Sequence, residues 1–435
     1  MKAKNKLGLV FFPAFDWAIS RTHPEREERL LYTMDQLLEE GVRDIEGIEF
    51  HNPEIASNKD IERTHFVVPT VDDRLTQSHK VSIGGTIKAF NLVMENKVDK
   101  AFALVRPPGH HAHTVVYGDR GFCIANVEAV ALEHIRAKHG KLKVAIVDTD
   151  CHHGDGTEDI YWNDPDTLVI SFHQDGRTLY PGTGDVHESG GPAAFGYNVN
   201  IPLPPQTGEE GFLYVLDNVV MPILDEYQPD LIINSAGQDN HYSDPITNMN
   251  FTAQGYAVLN DRLNPDIAVL EGGYSIEGAL PYVNLGIILA MAGLDYSNVH
   301  EPDYNPAALR QSHRITDTVK RTCDQVINRW QNKEQLAQKA IGDKEFVKEN
   351  KNVYYDTDGI LSDQQKKFKV CPDCNGYSVI YSSSSQGHKI CAINIPLEAC
   401  SECVNTAYDL YEKSKKDKNY TNVYLQDRVK DEYFS

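Results

Sequence analysis

Five short runs of apolar, mostly β-branched residues alternate with longer polar or amphipathic stretches between residues 100 and 275. Continuous apolar runs of this length are typical of strands buried on both faces of a parallel sheet. The intervening stretches have the length and apolar spacing of helices, so the pattern predicts βαβ units in an α/β fold. The runs are AFALVRP (101–107), KVAIVDTD (143–150), TLVISFH (167–173), DLIINSAG (230–237) and DIAVLEGG (266–273).

The pattern also divides the chain. Residues 1–335 carry the strand and helix alternation and are expected to form one catalytic domain. Residues 336–369 are polar and rich in lysine and are expected to form a linker. Residues 370–435 are expected to form a small C-terminal domain, with a cysteine-bearing hairpin over 371–403 and then one helix and a loose end.

Bulk composition narrows the functional classes. The 435 residues include no apolar run of about 18, which a membrane helix would need, so we expect no membrane partner and a cytoplasmic location. The net charge of -21 makes a nucleic-acid partner unfavourable and favours cationic ligands. Solubility alone would also explain this charge.

Polar clusters follow all five predicted strands. Because the carboxyl ends of parallel strands meet at one edge of a sheet, where ligands bind, we expect these clusters to converge there. Any one of them alone would more often be a turn, a helix cap or a surface histidine pair. The clusters are RPPGHHAH (106–113), DTDCHHGDG (148–156), SFHQDG (171–176), SAGQDN (235–240) and EGGY (271–274).

One cluster has the chemistry of a metal site. Asp150 and His152 are two residues apart at a strand end, so both side chains can reach one ion, and Asp239 can supply a third ligand. Two carboxylates and one imidazole leave coordination positions open, which is typical of a catalytic metal. Zinc is the first expectation, although the same donors accept Fe²⁺ or Co²⁺.

The adjacent pair His110 and His111 suits proton transfer. One could act as a general base on water and the other could stabilise charge. Asp148 and Asp155 are available to orient the two rings. Tyr274 follows two glycines and could donate its hydroxyl to a developing oxyanion. His153 is expected to have a packing or hydrogen-bonding role.

Together these residues resemble the histone deacetylase superfamily, which includes acetylpolyamine amidohydrolases and acetoin-utilisation proteins. The resemblance covers roughly residues 5–330 and implies an arginase-like deacetylase fold, a mostly parallel eight-stranded sheet. It also implies hydrolysis of an N-acetyl amide on a cationic amine. The motifs that carry it are HPEREERL (23–30), VRPPGHHA (105–112), GFCIAN (121–126), VDTDCHHGDGT (147–157), YPGTGD (180–185), SAGQD (235–239) and LEGGY (270–274).

The resemblance assigns roles residue by residue. It implies catalytic zinc on Asp150, His152 and Asp239, with His111 as the better candidate for the base and Tyr274 as the transition-state tyrosine. It also implies a potassium site and an acetyl-lysine tunnel. The potassium site would use Asp148, Asp150 and Ser171 with the carbonyls of His152 and Phe172; the tunnel would be flanked by Phe122 and Tyr180, with Gly121 at its neck.

The chain departs from the family pattern around the tunnel. Tyr180 stands where the family often has Phe, and the loop at 113–120 is about two residues longer than usual. Ile246 stands where polyamine-selective relatives have a Glu gatekeeper. Asp72 or Asp73 is the expected carboxylate that clamps the substrate backbone.

The C-terminal region carries two CxxC pairs, Cys371 with Cys374 and Cys400 with Cys403. This spacing predicts a structural four-cysteine zinc site in a domain similar to a zinc ribbon. The role of Cys391, which lies between the pairs, is left open.

Three functions follow from these patterns. The leading expectation is a metal-dependent deacetylase that acts on N-acetyl-lysine in proteins or peptides. The alternative is an amidohydrolase of acetylpolyamines or other small acylated amines. A catalytically silent acyl-lysine-binding protein would require a broken metal triad or a missing tyrosine, and the sequence has neither. The sequence leaves the oligomeric state open.

Overall fold

The computed structural model describes residues 1–12, 18–307 and 309–435, without the side chain of Asp73. The strands are β1 Lys2–Phe11, β2 Glu46–His51, β3 Phe66–Val67, β4 Lys100–Leu104, β5 Val115–Val116, β6 Val144–Asp148, β7 Thr167–Gln174, β8 Asn198–Leu203, β9 Leu231–Ala236, β10 Ile267–Leu270, β11 Phe346–Tyr355, β12 Ile360–Lys369, β13 Ser378–Ser384, β14 Lys389–Ile395, β15 Asn422–Asp427 and β16 Glu432–Phe434.

The helices connect these strands and cover the sheets. They are α1 Glu28–Glu39, α2 Asn58–Glu62, α3 Gln77–Met94, α4 Val127–His139, α5 Asp155–Tyr161, α6 Glu209–Val215, α7 Met221–Tyr227, α8 Ala253–Leu263, α9 Leu280–Met291, α10 His313–Gln331, α11 Lys333–Ile341 and α12 Ser401–Ser414. A π-helical turn at Leu216–Val220 joins α6 to α7, so the chain is helical without a break over residues 209–227.

In the described residues the N-terminal region forms an eight-stranded sheet in the order β2-β1-β4-β10-β9-β6-β7-β8. All its neighbouring strands pair in parallel. This confirms the predicted parallel α/β sheet. The five strands predicted from the apolar runs correspond to β4, β6, β7, β9 and β10, which lie together in the sheet because their residues are buried on both faces.

The register of the sheet brings the polar strand ends together. Asp148 at the end of β6 lies opposite Ser171 of β7 on one side and Ser235 of β9 on the other. The loops that follow these strands therefore begin at the same level of the sheet. This common edge holds the cluster described below.

A second, six-stranded sheet in the order β11-β12-β13-β14-β15-β16 forms the described C-terminal region. The predicted hairpin is present as β13 and β14, but the expected linker over 336–369 is wrong from residue 346 onward, where β11 and β12 pair antiparallel over their full length. The expected loose end is also wrong, because β15 pairs in parallel with β14 and β16 follows it. The inward positions of β12 include Ser362, Gln364 and Lys366. Because these residues are polar, the sequence lacks the alternation of apolar and polar residues that is typical of a half-buried strand.

One face of the C-terminal sheet packs against the catalytic domain, and the other face packs against α12. The first contact contains apolar side chains from both domains. They include Val115, Val116, Tyr117 and Ile124 from the catalytic domain and Val353, Tyr355, Ile360, Ile390 and Tyr424 from the C-terminal sheet. The loop at 113–120, expected to be unusually long, is thus held between the two domains.

None of the helices in the described part of the chain is both long and apolar enough to cross a membrane.

Candidate active site

The loops after β6 and β9 bring two aspartates and one histidine into contact. The Nδ1 atom of His152 lies 2.8 Å from Asp239 Oδ2 and 3.2 Å from Asp150 Oδ1. All three residues are buried, and one ligand atom from each lies within 4.8 Å of the others. Two buried carboxylates that face each other need a compensating cation, so this donor set fits a divalent metal ion.

Glycines make this close approach sterically feasible. A Cβ atom on Gly237 would lie 2.0 Å from Asp150 Oδ2, and a Cβ on Gly272 would lie 2.4 Å from Asp239 Oδ2. The backbone N–H of Gly272 donates to Asp150 Oδ2 at 2.8 Å, and the N–H of Cys151 donates to Asp239 Oδ1 at 2.7 Å. These bonds orient the two carboxylates before any ion is bound.

The two adjacent histidines each contact a different carboxylate. Nδ1 of His110 lies 3.0 Å from Asp148 Oδ2, and Nδ1 of His111 lies 2.8 Å from Asp155 Oδ1. The two ring centres are 4.1 Å apart, and the His111 ring lies 6.0 Å from that of His152. The structure therefore brings both predicted histidine and aspartate pairs to the metal-binding residues.

The environments of the two histidines differ. Burial lowers the pKa of His110, but the carboxylates of Asp150 and Asp148 outweigh burial and hold that pKa well above its ordinary value. Burial and the neighbouring His110 lower the pKa of His111 to about 3, although Asp155 acts in the opposite direction. At neutral pH this favours an imidazolium at His110 and a neutral imidazole at His111.

Sequence reasoning missed a layer of groups around Asp155. The guanidinium of Arg120 pairs with Asp155 Oδ2, and Nε2 of His113 lies 3.0 Å from the same oxygen. Burial would raise the pKa of Asp155, but Arg120 and His113 hold it well below its usual range. His113 stands two residues after His111 in the quoted motif, so the sequence contained this signal.

A second missed group is the buried carboxylate of Glu271. Its Oε2 accepts the backbone N–H of Gly109 at 2.7 Å and that of His110 at 3.1 Å, which fixes the loop that carries the histidine pair. Arg29 donates from Nε to the Gly273 carbonyl at 2.8 Å and also to the Glu271 carbonyl. Arg29 therefore holds the backbone that follows β10, and the Glu271 side chain joins this backbone to the loop of the histidine pair.

Tyr274 is buried beside these groups. Its backbone N–H donates to Asp244 Oδ2 at 2.7 Å, and the guanidinium of Arg29 lies 5.0 Å from the centre of its ring. Asp244 Oδ1 also accepts the N–H of Ile246 at 3.0 Å. One carboxylate thus ties the loop of Ile246 to the backbone of Tyr274.

Comparison with known proteins decides the family. The model of the histone deacetylase domain matches residues 23–284. The chain belongs to the histone deacetylase family. A relative from Archaeoglobus fulgidus described as a probable deacetylase is 44% identical over an alignment of 343 residues, and the match covers 69% of this chain and 93% of the relative.

Other known proteins that are similar to this chain support the same family assignment. A histone deacetylase-like amidohydrolase from Pseudomonas aeruginosa is 34% identical and covers 51% of this chain and 60% of its own length. The acetoin utilization protein AcuC from Bacillus subtilis is 28% identical over 68% of this chain and 84% of its own length. The crystal structure of the HDA15 HD domain superposes with a TM-score of 0.63 at 26% identity, covering 76% of this chain and 97% of that one. The protein is therefore a hydrolytic deacetylase of a family that is in general metal-dependent.

In this deacetylase the expected tunnel residues lie beside His111 and Tyr274. The Tyr180 ring lies 5.1 Å from the His111 ring, and the Phe122 ring lies 5.6 Å from that of Tyr274. Gly121 has φ +52°, and a Cβ there would lie 2.4 Å from His111 Cδ2. Any larger residue at Gly121 would meet both strain and a clash with the imidazole.

The expected potassium ligands lie on neighbouring strands. Asp148 and Ser171 are register partners of β6 and β7, and Phe172 follows directly and is fully buried. The Ser171 hydroxyl is 2.9 Å from His173 Nδ1. Potassium binding stays a prediction.

Asp72 is exposed on the 3₁₀ turn Pro69–Arg74 and lines a groove with Glu62 and Tyr424. The side chain of Asp73 lies outside the described residues. The role of either aspartate as the substrate clamp stays a prediction.

The four cysteines of the two CxxC pairs converge in the C-terminal domain. Their sulfurs all lie within 4.8 Å of one another, and those of Cys371 and Cys400 are 4.0 Å apart. Tetrahedral zinc with bonds of about 2.3 Å would hold its sulfurs about 3.8 Å apart, so the donor set fits a structural zinc ion. Cys391 lies outside this quartet, and its buried sulfur is 3.6 Å from the Ser414 hydroxyl.

His153 also has a structural environment. Its Nδ1 lies 2.8 Å from the Thr183 hydroxyl, and its Nε2 lies 3.2 Å from Glu158 Oε2. This agrees with the hydrogen-bonding role expected for it.

Proposed function

We propose that this deacetylase removes the acetyl group from N-acetyl-lysine in proteins or peptides and releases acetate. The observation that carries the proposal is a set of three possible metal ligands, two carboxylates and one imidazole, beside two histidines. Each of these histidines is oriented by its own aspartate. Aromatic walls at Phe122 and Tyr180 suit the methylene chain of lysine beside this site.

Asp150, His152 and Asp239 are the residues that would hold the catalytic metal, with zinc as the first candidate and Fe²⁺ as the second. A metal bound there would supply Lewis acidity that polarises the acetyl carbonyl and acidifies water. The remaining chemistry belongs to the side chains around it.

His111 is the proposed base. Its Nδ1 is held by Asp155 at 2.8 Å, which leaves Nε2 to accept a proton from the attacking water. The depressed pKa of about 3 keeps the ring neutral, as a base must be before it accepts a proton. His110, held as an imidazolium by Asp150 and Asp148, is the proposed electrostatic partner and a proton source for the leaving amine.

Tyr274 is the proposed donor to the oxyanion that forms on the acetyl oxygen. Burial raises the pKa of its hydroxyl well above the ordinary value, so the hydroxyl keeps its proton. A neutral donor that is oriented in advance stabilises a developing negative charge more in the transition state than in the substrate.

The second candidate substrate is a small acylated amine such as an acetylpolyamine. The observation that favours it is the position of the C-terminal domain, whose β11–β12 turn contacts both Gly121 and Tyr180. A turn at that position restricts access to the site more for a folded protein than for a short flexible amine. The residue Ile246, where polyamine-selective relatives carry Glu, argues in the other direction.

The test compares two substrate classes on zinc-loaded protein. We expect acetate release from acetyl-lysine peptides and from N-acetylated polyamines to be inhibited by a hydroxamate, with the higher kcat/KM identifying the natural class of substrate.

A second test addresses the base. His111→Ala should lower kcat at least 100-fold. The control His139→Ala changes an exposed histidine at the end of α4 and should retain full activity. Full activity of His111→Ala would contradict the assignment of the base.

A further inference from the structure

The turn between β11 and β12, residues 356–359, meets the catalytic domain at the neck of the tunnel. Asp356 Oδ1 accepts the backbone N–H of Gly121 at 2.9 Å and the Tyr180 hydroxyl at 3.1 Å. One carboxylate oxygen from the C-terminal domain thus bridges two residues that adjoin His111. The hydroxyl by which Tyr180 differs from Phe is the group that makes the bridge.

The same turn is anchored on its other side. Asp358 Oδ2 accepts the backbone N–H of Asp119 at 2.8 Å and pairs with the guanidinium of Arg74. The Thr357 hydroxyl donates to Asp119 Oδ1 at 3.1 Å. The turn is therefore held at several points and cannot move without breaking bonds to the catalytic domain.

The bond to Gly121 also supports an unusual backbone conformation. Gly121 and Phe122 both have left-handed φ angles, +52° and +69°. For Phe122 this conformation is unfavourable and persists where neighbouring groups determine it. Asp356 is one of those neighbours, since it holds the N–H that precedes Phe122.

The second oxygen of Asp356 has no hydrogen-bond partner among the described residues, and the side chain is only half buried. The nearby guanidinium of Arg120 is already bound by Asp155 and by the carbonyl of Tyr354 at 2.6 Å. A carboxylate oxygen that accepts no hydrogen bond among the described residues therefore remains beside the tunnel neck, although the charge of Arg120 still acts on this carboxylate. A carboxylate binds an ammonium group through charge-assisted hydrogen bonds.

We propose that Asp356 selects substrates, so that the C-terminal domain supplies a specificity residue to the deacetylase site. Its free oxygen contacts an ammonium group of the substrate outside the acylated chain, while its bound oxygen holds Gly121 and Tyr180. The inference rests on the proposed deacetylase function. The ammonium can come from the free end of an acylated diamine or from a basic residue beside acetyl-lysine in a peptide.

The test separates the charge from the bridge. Asp356→Asn keeps an oxygen for Gly121 and Tyr180 but removes the charge, whereas Asp356→Ala removes both. The matched control is Asp363→Asn, which neutralises an exposed carboxylate on β12 of the same hairpin. One substrate pair is N-acetyl-1,4-diaminobutane and the neutral N-pentylacetamide; the other is an acetyl-lysine peptide with an adjacent arginine and its glycine counterpart.

For Asp356→Asn we expect kcat/KM to fall about 10-fold or more on the cationic member of at least one pair. The fall should come from a higher KM, and kcat/KM on the neutral members should stay unchanged. The pair that responds identifies the source of the ammonium. Asp356→Ala should also lower kcat on the neutral substrates, because Gly121 and Tyr180 lose their shared partner. Asp363→Asn should match the wild type.

Two results would overturn the inference. One is an Asp356→Asn variant that keeps the wild-type ratio between cationic and neutral substrates in both pairs. The other is an equal loss on all four substrates, which would assign Asp356 a purely structural role. A wild-type protein that hydrolyses none of the four would instead contradict the proposed function, so the two failures are distinguishable.

Discussion

Lys366→Met tests the contact between the two domains. Lys366 points inward from β12, and its Nζ lies 2.7 Å from Asp159 Oδ1 on α5, with only 7% and 3% of the two side chains exposed. Burial would raise the pKa of Asp159, but Lys366, His113 and Lys351 hold that pKa well below its ordinary value. Substituting Lys366 leaves a buried carboxylate with weaker partners.

The expected cost follows from those remaining partners. Breaking a buried ion pair by removing one member costs about 3–5 kcal/mol. Nζ of Lys351 still lies 3.5 Å from Asp159 Oδ1, and Nδ1 of His113 lies 3.4 Å from it. We therefore expect Lys366→Met to lower the free energy of unfolding by about 2–4 kcal/mol at pH 7. The double variant Lys366→Met with Asp159→Leu should recover much of this loss, because it removes the buried carboxylate that has lost its lysine.

The pH dependence of this stabilisation by Asp159 has a definite sign. A carboxylate with a depressed folded pKa stabilises the protein above its unfolded pKa, near 3.8, and loses that stabilisation as pH falls through the folded pKa. The difference between wild type and Lys366→Met should therefore be complete at neutral pH and decrease only in strong acid. Urea unfolding followed by circular dichroism and by tryptophan fluorescence measures it.

The control is Lys348→Met, which changes an exposed lysine on β11 and should shift the unfolding free energy by less than about 0.5 kcal/mol. A Lys366→Met variant as stable as this control would refute the reasoning. The buried pair would then not hold the C-terminal sheet against the catalytic domain.

Three further outcomes are expected. Asp239→Asn should lower bound catalytic metal by about one ion per chain in elemental analysis and lower kcat by at least 100-fold, with the melting curve retained; normal metal content would contradict the ligand assignment. Cys403→Ser should remove a different zinc ion and lower the melting temperature while the remaining metal still supports hydrolysis; an unchanged zinc content would exclude the four-cysteine site. Burial raises the pKa of Asp119 to about 7, so its ionisation destabilises the folded state as pH rises from about 4 to 7. Asp119→Asn should therefore gain stability relative to wild type over that range, by up to about 4 kcal/mol, and a difference independent of pH would contradict the shift.

The sequence alone determined the strands and the chemistry that follows them. Apolar runs marked the central parallel strands, and polar clusters such as those of Asp150 and His111 came directly after them. This worked because the carboxyl ends of parallel strands meet at one edge, so that local position along the chain predicts proximity in space. The four cysteines were also predictable, since their spacing alone indicates a shared metal.

Only the tertiary structure decided how the C-terminal region joins the site. β12 could not be recognised because three of its inward positions are polar, and one of these residues, Lys366, has its partner on the other domain. The bonds of Asp356 to Gly121 and Tyr180 join residues more than 170 positions apart, which no local pattern encodes. Contacts between domains depend on how two independently formed sheets pack, so the shape of the tunnel neck is a property of the assembled fold.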